Sequence, residues 1–567
     1  MTDVLATARQ WLSLDPDNAA ALAQELEAAE VGDETAIAAL TARFAGYLTF
    51  GTAGLRAPLG PGTTRMNRVV VQRAAAGIAD FATRHVAEPC VVIGYDARHG
   101  SQQFALDSAA VLTALGCRVY LMSVMTPTPV LAFALKHLQA DVGIMVTASH
   151  NPPTDNGYKV YLGARLVAPD DATGAYGQIT VPTDQAIAEC IHRWNTATQL
   201  PPRVDAGWEY LSETVIDDYV AAVSQFLQQL FPSTHHRDDL RVVYTAMHGV
   251  GGTTFGKLLT ATGFRPPRLV ATQAEPDPTF PTVAFPNPEE AGALDEAFAT
   301  AAADPATDII VAHDPDADRL AIALPVDGQW RRLSGDQVGL ILAARLMPHV
   351  VAENLAMANS VVSAPQVGQL AAQHQVRHEV TPTGFKWICR VERLGFGYEE
   401  ALGYAVAPHL VNDKDGISAA IIVLDLAAEL KAAGSDLLAY LAELTRQLGP
   451  TLTDQVSVMV PSPSVGTLLV DDLRTNPPQH LAGLGPVTTI DYQQPGIGLT
   501  QRYGPINMLE FSTSGPLSAR LMIRPSGTEP KIKCYISVTA SPETPAHTTQ
   551  QILQQLREEA AALVQIT

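Results

Sequence analysis

Short apolar runs alternate with amphipathic stretches along most of this chain. Residues 20–29 and 36–44 repeat apolar side chains at helical spacing and are rich in Ala, Glu and Leu, so the first 45 residues are expected to be helical. From Cys90 the period changes. The run Cys90-Val-Val-Ile-Gly leads into a helical stretch over 104–115, a second β-rich run over 117–121, a helix over 130–138 and a strand over 142–146. Strand–helix alternation at this spacing builds βαβ units, and hence a parallel or mixed sheet covered by helices. After a loop-like stretch at 201–205 the alternation restarts, with candidate strands at 240–244, 268–270 and 308–312. A third cycle follows Arg332, with a candidate strand at 361–363 and a helix at 417–430. Gly449-Pro450 marks a boundary, and from about Val456 strands mix with a last helix near 550–563. The expected fold class is α/β: three α/β domains with mixed sheets (1–205, 206–325 and 326–450) and a C-terminal α+β domain (451–567).

The length agrees, since 567 residues at roughly 150 per domain give three to four domains. A composition of 47% hydrophobic and 17% charged residues excludes a disordered, collagenous or coiled-coil chain. With 58 acidic against 37 basic residues the formal charge is −21, which argues against nucleic acid and anionic membrane surfaces as partners. A few local Arg and Lys residues can still overrule the net charge for a small anionic substrate. The five cysteines are scattered without a CxxC pair, which suits a reducing compartment and excludes a zinc ribbon. No basic n-region precedes an apolar h-region, and the longest apolar run, 119–135, is interrupted by Pro127 and Pro129. A cytoplasmic location without a membrane partner is expected.

Five segments could carry chemistry. Thr147-Ala-Ser-His-Asn-Pro-Pro-Thr-Asp-Asn-Gly-Tyr-Lys159 follows a candidate buried strand, which puts Ser149 at a strand's C-terminal end, where open α/β sheets bind ligands. With His150 and Lys159 nearby, Ser149 is a candidate nucleophile or phosphoryl carrier, although a turn rich in Asn and Pro is the plainer reading of such a loop. In Asp314-Pro-Asp-Ala-Asp-Arg319, bending lets three carboxylates converge on one cation, and Mg²⁺ suits a few hard oxygen donors best. An EF-hand is excluded, because Arg319 and Pro325 stand where Gly and Glu are required. Arg524-Pro-Ser-Gly-Thr-Glu-Pro offers backbone amides beside Gly527, the Ser526 and Thr528 hydroxyls and the Arg524 fork to a phosphate. Gly51-Thr-Ala-Gly-Leu-Arg56 combines close backbone approach with a bidentate anion donor, and Gly397-Tyr-Glu-Glu places paired carboxylates among apolar residues. Gly251-Gly-Thr-Thr-Phe-Gly-Lys257 nearly spells a phosphate-binding loop, but Leu258 replaces the Ser or Thr that holds magnesium, so a structural strand–turn–helix is expected there.

In this order, between residues 51 and 533, the five segments resemble the α-D-phosphohexomutase superfamily. Phe50 to Arg56, Thr383-Gly-Phe-Lys-Trp387, the loop from Tyr398 to Tyr404 and Asp413-Lys-Asp-Gly416 are similar to the branch containing phosphoglucomutase 2, phosphopentomutase and glucose-1,6-bisphosphate synthase. The resemblance implies four domains around a central cleft. It implies that Ser149 is the phosphoserine and that Asp314, Asp316 and Asp318 hold Mg²⁺ with an oxygen of that serine. Glu399 and Lys386 would bind the sugar phosphate, and Arg524, Ser526, Gly527 and Thr528 would grip its non-reacting phosphate. Arg56, Lys159 and Arg319 would lie by the transferring group, with His150 or Lys159 moving the proton. The implied activity is a phosphosugar mutase, with glucose 1-phosphate first among substrates and pentose or mannose phosphates next. Glucose 1,6-bisphosphate is the implied activator, and the chain is expected to act as a monomer or homodimer. One departure stands out: many relatives have Gly-Glu-x-Ser in the sugar loop, whereas Tyr398 and Ala401 replace its glycine and serine here. A nucleotide-dependent sugar kinase is disfavoured by the broken phosphate loop, and a non-catalytic sugar-phosphate sensor by the intact serine and aspartates.

Overall fold

A computed structural model of the chain describes residues 2–52, 54–233, 236–525 and 531–565, in two compact units. Unit 1 comprises residues 1–333, 389–397 and 401–432, and unit 2 comprises 334–388, 398–400 and 433–567.

Unit 1 begins with helices Thr2–Leu14, Ala19–Glu30 and Glu34–Phe44, the last capped by the Asp33 carboxylate accepting from the Ala36 amide. Its first sheet contains β1 (Leu55–Pro58), β2 (Cys90–Tyr95), β3 (Arg118–Met122), β4 (Val142–Val146), β5 (Asp155–Leu162), β6 (Gly177–Gln178) and β7 (Glu209–Leu211). The order is β1-β5-β4-β2-β3-β7, with β6 beside β5. β4, β2, β3 and β7 run parallel, and β5 is antiparallel to both neighbours, so the sheet is mixed. Helices Arg68–His85, Ser101–Ala114 and Thr128–His137 cover it, which is why β2 and β4 read as unbroken apolar runs rather than alternating ones.

The second sheet contains β8 (Val242–Thr245), β9 (Arg268–Leu269), β10 (Ile309–His313), β11 (Leu320–Val326) and β12 (Gln329–Arg332), in the order β12-β11-β10-β8-β9. β8 is parallel to β9 and β10, and β11 returns antiparallel to β10 with His313 opposite Leu320. The acidic segment 314–319 is thus the tip of a hairpin. The near phosphate-loop behaves as expected: helix Gly251–Ala261 follows β8 through a turn, and Lys257 pairs with Asp217 at 2.8 Å. Helix Gly416–Ala432 is buried on every side from Gly416 to Ala428. The buried Arg237–Asp425 ion pair ties its second half down at 2.6 Å.

Unit 2 opens with helix Gly335–Ala352, started by a capping box between Ser334 and Gln337. β13 (Ala356–Ser360) and β14 (Arg377–Thr381) pair in parallel, with helix Gln366–Gln373 between them in sequence. The strand expected at 361–363 is a turn, closed by the Ser363 amide on the Ser360 carbonyl, and the strand lies one step earlier. Ala, Asn and Ser within β13 hide a fully buried strand that apolar content alone does not reveal. β15 (Leu394–Glu399) gives its first four residues to unit 1 and its last two to unit 2, and β16 (Gly403–Ala405) lies in unit 1. The C-terminal sheet is wholly antiparallel: β17 (Thr451–Met459), β18 (Thr488–Asp491), β19 (Leu509–Ser512), β20 (Leu517–Pro525) and β21 (Lys531–Ala540), ordered β17-β21-β20-β19-β18. Leu521, Ile536 and Val538 face the apolar side of helix Ala546–Leu563, giving the α+β character expected of the C-terminal region. Among the described residues no helix is long and apolar enough to cross a membrane.

Candidate active site

Ser149 lies three residues beyond β4, at 3% exposure, with a backbone φ of +50°. A non-glycine residue pays strain there, so its surroundings must hold it. The Ser149 amide donates to Thr147 Oγ1 at 2.8 Å. The Arg98 guanidinium donates to the Ser149 carbonyl at 2.7 Å. The side chain then reaches the acidic hairpin: Ser149 Oγ donates to Asp314 Oδ2 at 2.8 Å and lies 3.2 Å from His150 Nδ1. Gly157 lets β5 pass close to the start of the serine loop, because a Cβ there would fall 2.5 Å from the Thr147 carbonyl oxygen.

The hairpin tip draws its three carboxylates together, with one oxygen from each within 4.8 Å of the others. All three aspartates are buried. Ala317, at φ +55°, makes the turn, and Gly249 and Gly416 leave room for the backbone at Pro315 and Arg319. Lys159, set on β5 opposite Met145 of β4, donates to Asp316 at 2.7 Å and Asp318 at 2.8 Å. Lys414 adds a 3.1 Å contact to Asp318, and the Thr128 hydroxyl donates to Asp316 at 2.6 Å. Arg319 points its Nη1 at the Ala401 carbonyl, 2.7 Å away.

Electrostatics separates these groups. Burial and the charges of Asp316 and Asp318 push the Asp314 carboxyl well above the usual range. Burial also pushes Asp318 up, but Lys159, Lys414 and Arg319 outweigh it and hold Asp318 ionised. Lys159 is pulled down by burial and more than restored by its two aspartates, so it stays an ammonium. His150 is held well below the ordinary imidazole value by burial and by the cations Arg319 and Arg56, so it is neutral. Asp316 Oδ1 and Asp318 Oδ1 are buried and have no hydrogen-bond partner among the described residues. Two orphaned carboxylate oxygens beside a third carboxylate and a serine hydroxyl are a hard-oxygen donor set that fits a divalent cation of the magnesium type.

Arg56, exposed on β1, donates to Asn151 Oδ1 at 2.9 Å, two residues past the serine. Unit 1 therefore brings together Ser149, His150, Lys159, Arg319, Arg56 and the aspartate trio. The remaining expected residues belong to unit 2. There Glu399 accepts from the Gly384 amide at 3.2 Å, and Lys386 lies in the short helix Phe385–Ile388 that follows. Glu400 Oε2 accepts from Ser360 at 2.9 Å and Ser363 at 3.0 Å. Arg524 donates to the Tyr535 hydroxyl at 3.1 Å. Burial opposes the Arg524 charge, but Tyr535, Glu400 and Glu399 favour it more, so its pKa is raised. Ser526, Gly527 and Thr528 lie outside the described residues. Tyr398 turns into the core, where its hydroxyl donates to Asp336 at 3.1 Å and its ring fills the space over Gly339.

Sequence reasoning did not single out Thr128, Arg98 or Lys414 as parts of the site. Thr128 and Arg98 come from other strand ends and form no local motif. Lys414 stood inside the quoted Asp413-Lys-Asp-Gly416, and its position between two acids was the available signal.

Comparison with known proteins places the chain in a family. Models described as phosphoglucomutase/phosphomannomutase α/β/α domains I, II and III match residues 47–185, 217–327 and 334–445. The chain belongs to the phosphoglucomutase/phosphomannomutase family of the α-D-phosphohexomutase superfamily, with three α/β domains and a fourth sheet domain, and it is an enzyme of the phosphomutase type. It is 43% identical to a Haemophilus influenzae protein named "Probable phosphomannomutase", over 83% of this chain and 92% of that one. It is 34% identical to a phosphoglucomutase of Staphylococcus haemolyticus, over 87% and 90%. It is 32% identical to the human phosphopentomutase, over 98% and 94%. The fold is similar to that of the Paramecium phosphoglucomutase parafusin, with a TM-score of 0.68 at 17% identity over 92% and 95% of the two chains.

Proposed function

We propose that this enzyme interconverts glucose 1-phosphate and glucose 6-phosphate through a phosphorylated Ser149 and a bisphosphate intermediate. The observation that carries the reading is Ser149 Oγ at 2.8 Å from Asp314, beside two buried carboxylate oxygens that accept no hydrogen bond from the described residues. Asp314, Asp316 and Asp318 with a Ser149 oxygen would hold Mg²⁺. A divalent cation there supplies charge stabilisation to the phosphoryl oxygens.

The phosphoserine, at about −1.5 to −2 charges, faces Lys159 and Arg319, which offset the charge carried through transfer. The sugar hydroxyl forms the new P–O bond as the Ser149 Oγ–P bond breaks. Its proton passes through neutral His150 to Ser149 Oγ as that oxygen leaves phosphorus, and in the second transfer the serine proton returns by the same route to the sugar oxygen that is released. Lys159, already an ammonium, neutralises rather than accepts. When the bisphosphate turns over in place, its other phosphoryl group restores the phosphoserine; when it escapes, Ser149 is left unphosphorylated and added glucose 1,6-bisphosphate rephosphorylates it, which is its role as activator. Glu399, Lys386 and Arg524, with Ser526, Gly527 and Thr528, bind the sugar and its stationary phosphate.

A pentose 1-phosphate is the second reading. It is supported by the near full-length match to a phosphopentomutase and by a sugar loop in which Tyr398 is committed to the core and Ala401 brings no hydroxyl. The test offers glucose, mannose and ribose 1-phosphates with Mg²⁺ and trace glucose 1,6-bisphosphate, and compares kcat/KM. The highest value for glucose 1-phosphate is expected, and the highest value for ribose 1-phosphate moves the enzyme to the second reading. Ser149→Ala is expected to remove turnover with the fold retained, and full activity would falsify the phosphoserine mechanism.

A further inference from the structure

Three residues beyond the end of β2, and three before helix Ser101–Ala114, lies a buried cation that the reaction scheme above leaves unused. Arg98 is 3% exposed, and its guanidinium takes four backbone carbonyls of one loop. Nη2 donates to Ser149 at 2.7 Å and Asn151 at 2.5 Å, and Nη1 to Pro152 at 2.7 Å and Asp155 at 3.1 Å. Nε faces Asp96 Oδ2 at 3.5 Å, and the Phe280 ring lies under the cation with its centroid 5.0 Å away. Burying a guanidinium is costly unless its donors are used, and here the donors are spent on main chain rather than on a matching set of carboxylates. The carbonyl it takes at Ser149 belongs to the residue whose φ is +50°. With the Thr147 hydroxyl on the amide side and Arg98 on the carbonyl side, the strained serine is held from both ends.

We propose that Arg98 is a positioning residue for phosphoryl transfer: it fixes the loop 149–155 so that Ser149 Oγ stays aimed at the aspartate trio. The proposal rests on the phosphoserine reading of Ser149. Only a planar fork spans four carbonyls at once, since a lysine ammonium offers three donors from a single point. Arg98 acts through the serine and not on the sugar. Its loss therefore lowers kcat while KM for the sugar phosphate holds.

The experiment compares wild type, Arg98→Lys, Arg98→Ala and Ser149→Ala as full-length enzymes with Mg²⁺. For Arg98→Lys a fall in kcat on the order of 100-fold is expected, the usual effect of displacing a reacting group by about 1 Å, with KM changed by less than about 3-fold. Phosphoserine occupancy, read by intact mass after incubation with glucose 1,6-bisphosphate, is expected to fall in parallel. For folded Arg98→Ala, millimolar guanidinium chloride is expected to raise kcat by about 10-fold, while sodium chloride of equal ionic strength does not. Should neither Arg98 variant fold, Phe280→Leu, which keeps the guanidinium but removes its ring, is expected to lower kcat several-fold at constant KM. Unchanged kcat in a folded Arg98→Lys, a loss that appears in KM alone, or an unchanged Phe280→Leu overturns the proposal. Activity in Ser149→Ala overturns the phosphoserine reading instead, so the two failures are distinguishable.

Discussion

Replacing Glu400 by glutamine removes one proton-binding site from unit 2 while leaving an oxygen for the two serines. Its carboxylate accepts from Ser360 and Ser363, and burial, the neighbouring Glu399 charge and Asp336 raise its pKa from 4.5 to about 7. The folded protein therefore holds this proton more tightly than the unfolded chain. Between about pH 4.5 and 7 the folded state binds more protons, so stability falls as pH rises, and the full penalty stands above pH 7. A shift from 4.5 to about 7 corresponds to roughly 3 kcal/mol at most. Glu400 is only half-buried, and solvent screening reduces the figure to about 1–2 kcal/mol. Urea unfolding of wild type and Glu400→Gln from about pH 5 to pH 8, read as the difference in midpoint, isolates Glu400 and its coupling to Glu399, since titrations remote from the pair are common to both proteins. The variant is expected to gain about 1–2 kcal/mol on wild type across that range. Parallel curves would refute the reasoning, and a gain confined to the acid end would reverse its sign.

Thr128→Val keeps the shape of the side chain but removes the donor to Asp316, and is expected to cost about 1–3 kcal/mol, read as a lowered Tm. Gly339→Ala places a methyl 2.5 Å from the Tyr398 ring, so the better helix former is expected to destabilise by about 1–3 kcal/mol, and a raised Tm would count against that packing. Saturating Mg²⁺ is expected to raise Tm, and EDTA to lower it. At a concentration of about 100 times Kd the gain is roughly 2.7 kcal/mol, and Asp318→Asn is expected to abolish the shift.

The parts of the site that share a strand end were legible in the sequence, and those joined only by the fold were not. Ser149 and the Asp314–Asp318 trio each follow an apolar strand within a short motif, so spacing was enough to suggest a nucleophile and a cation cluster. Lys159 entered through the same motif as Ser149, because β5 folds back antiparallel onto β4 and returns it to the strand end. Thr128 reaches Asp316 across 188 residues and Arg98 reaches Ser149 across 51, and no local pattern encodes either pairing. Tyr398 was read as a change in the sugar loop, but its role depends on Gly339, a residue 59 positions earlier whose missing side chain makes the space. The strand β13 escaped because burial on both faces lets Ala, Asn and Ser stand where β-branched residues were sought.

The interleaving of the two units along the chain has a consequence for synthesis. The hairpin carrying the three aspartates is complete at Val326, but Lys414 and Gly416, which contact it, and the buried helix Gly416–Ala432 come after residues 334–388 of unit 2 have been made. At ordinary translation rates the gap is on the order of 10 s. During that interval the nascent chain carries three crowded carboxylates without one of their cations, and lacks a helix that is buried on every side in the finished fold. A gene cut after residue 333 would fix that interim state permanently. Autonomous expression of unit 1 requires residues 389–397 and 401–432 to be carried along, joined by linkers that replace the excised stretches.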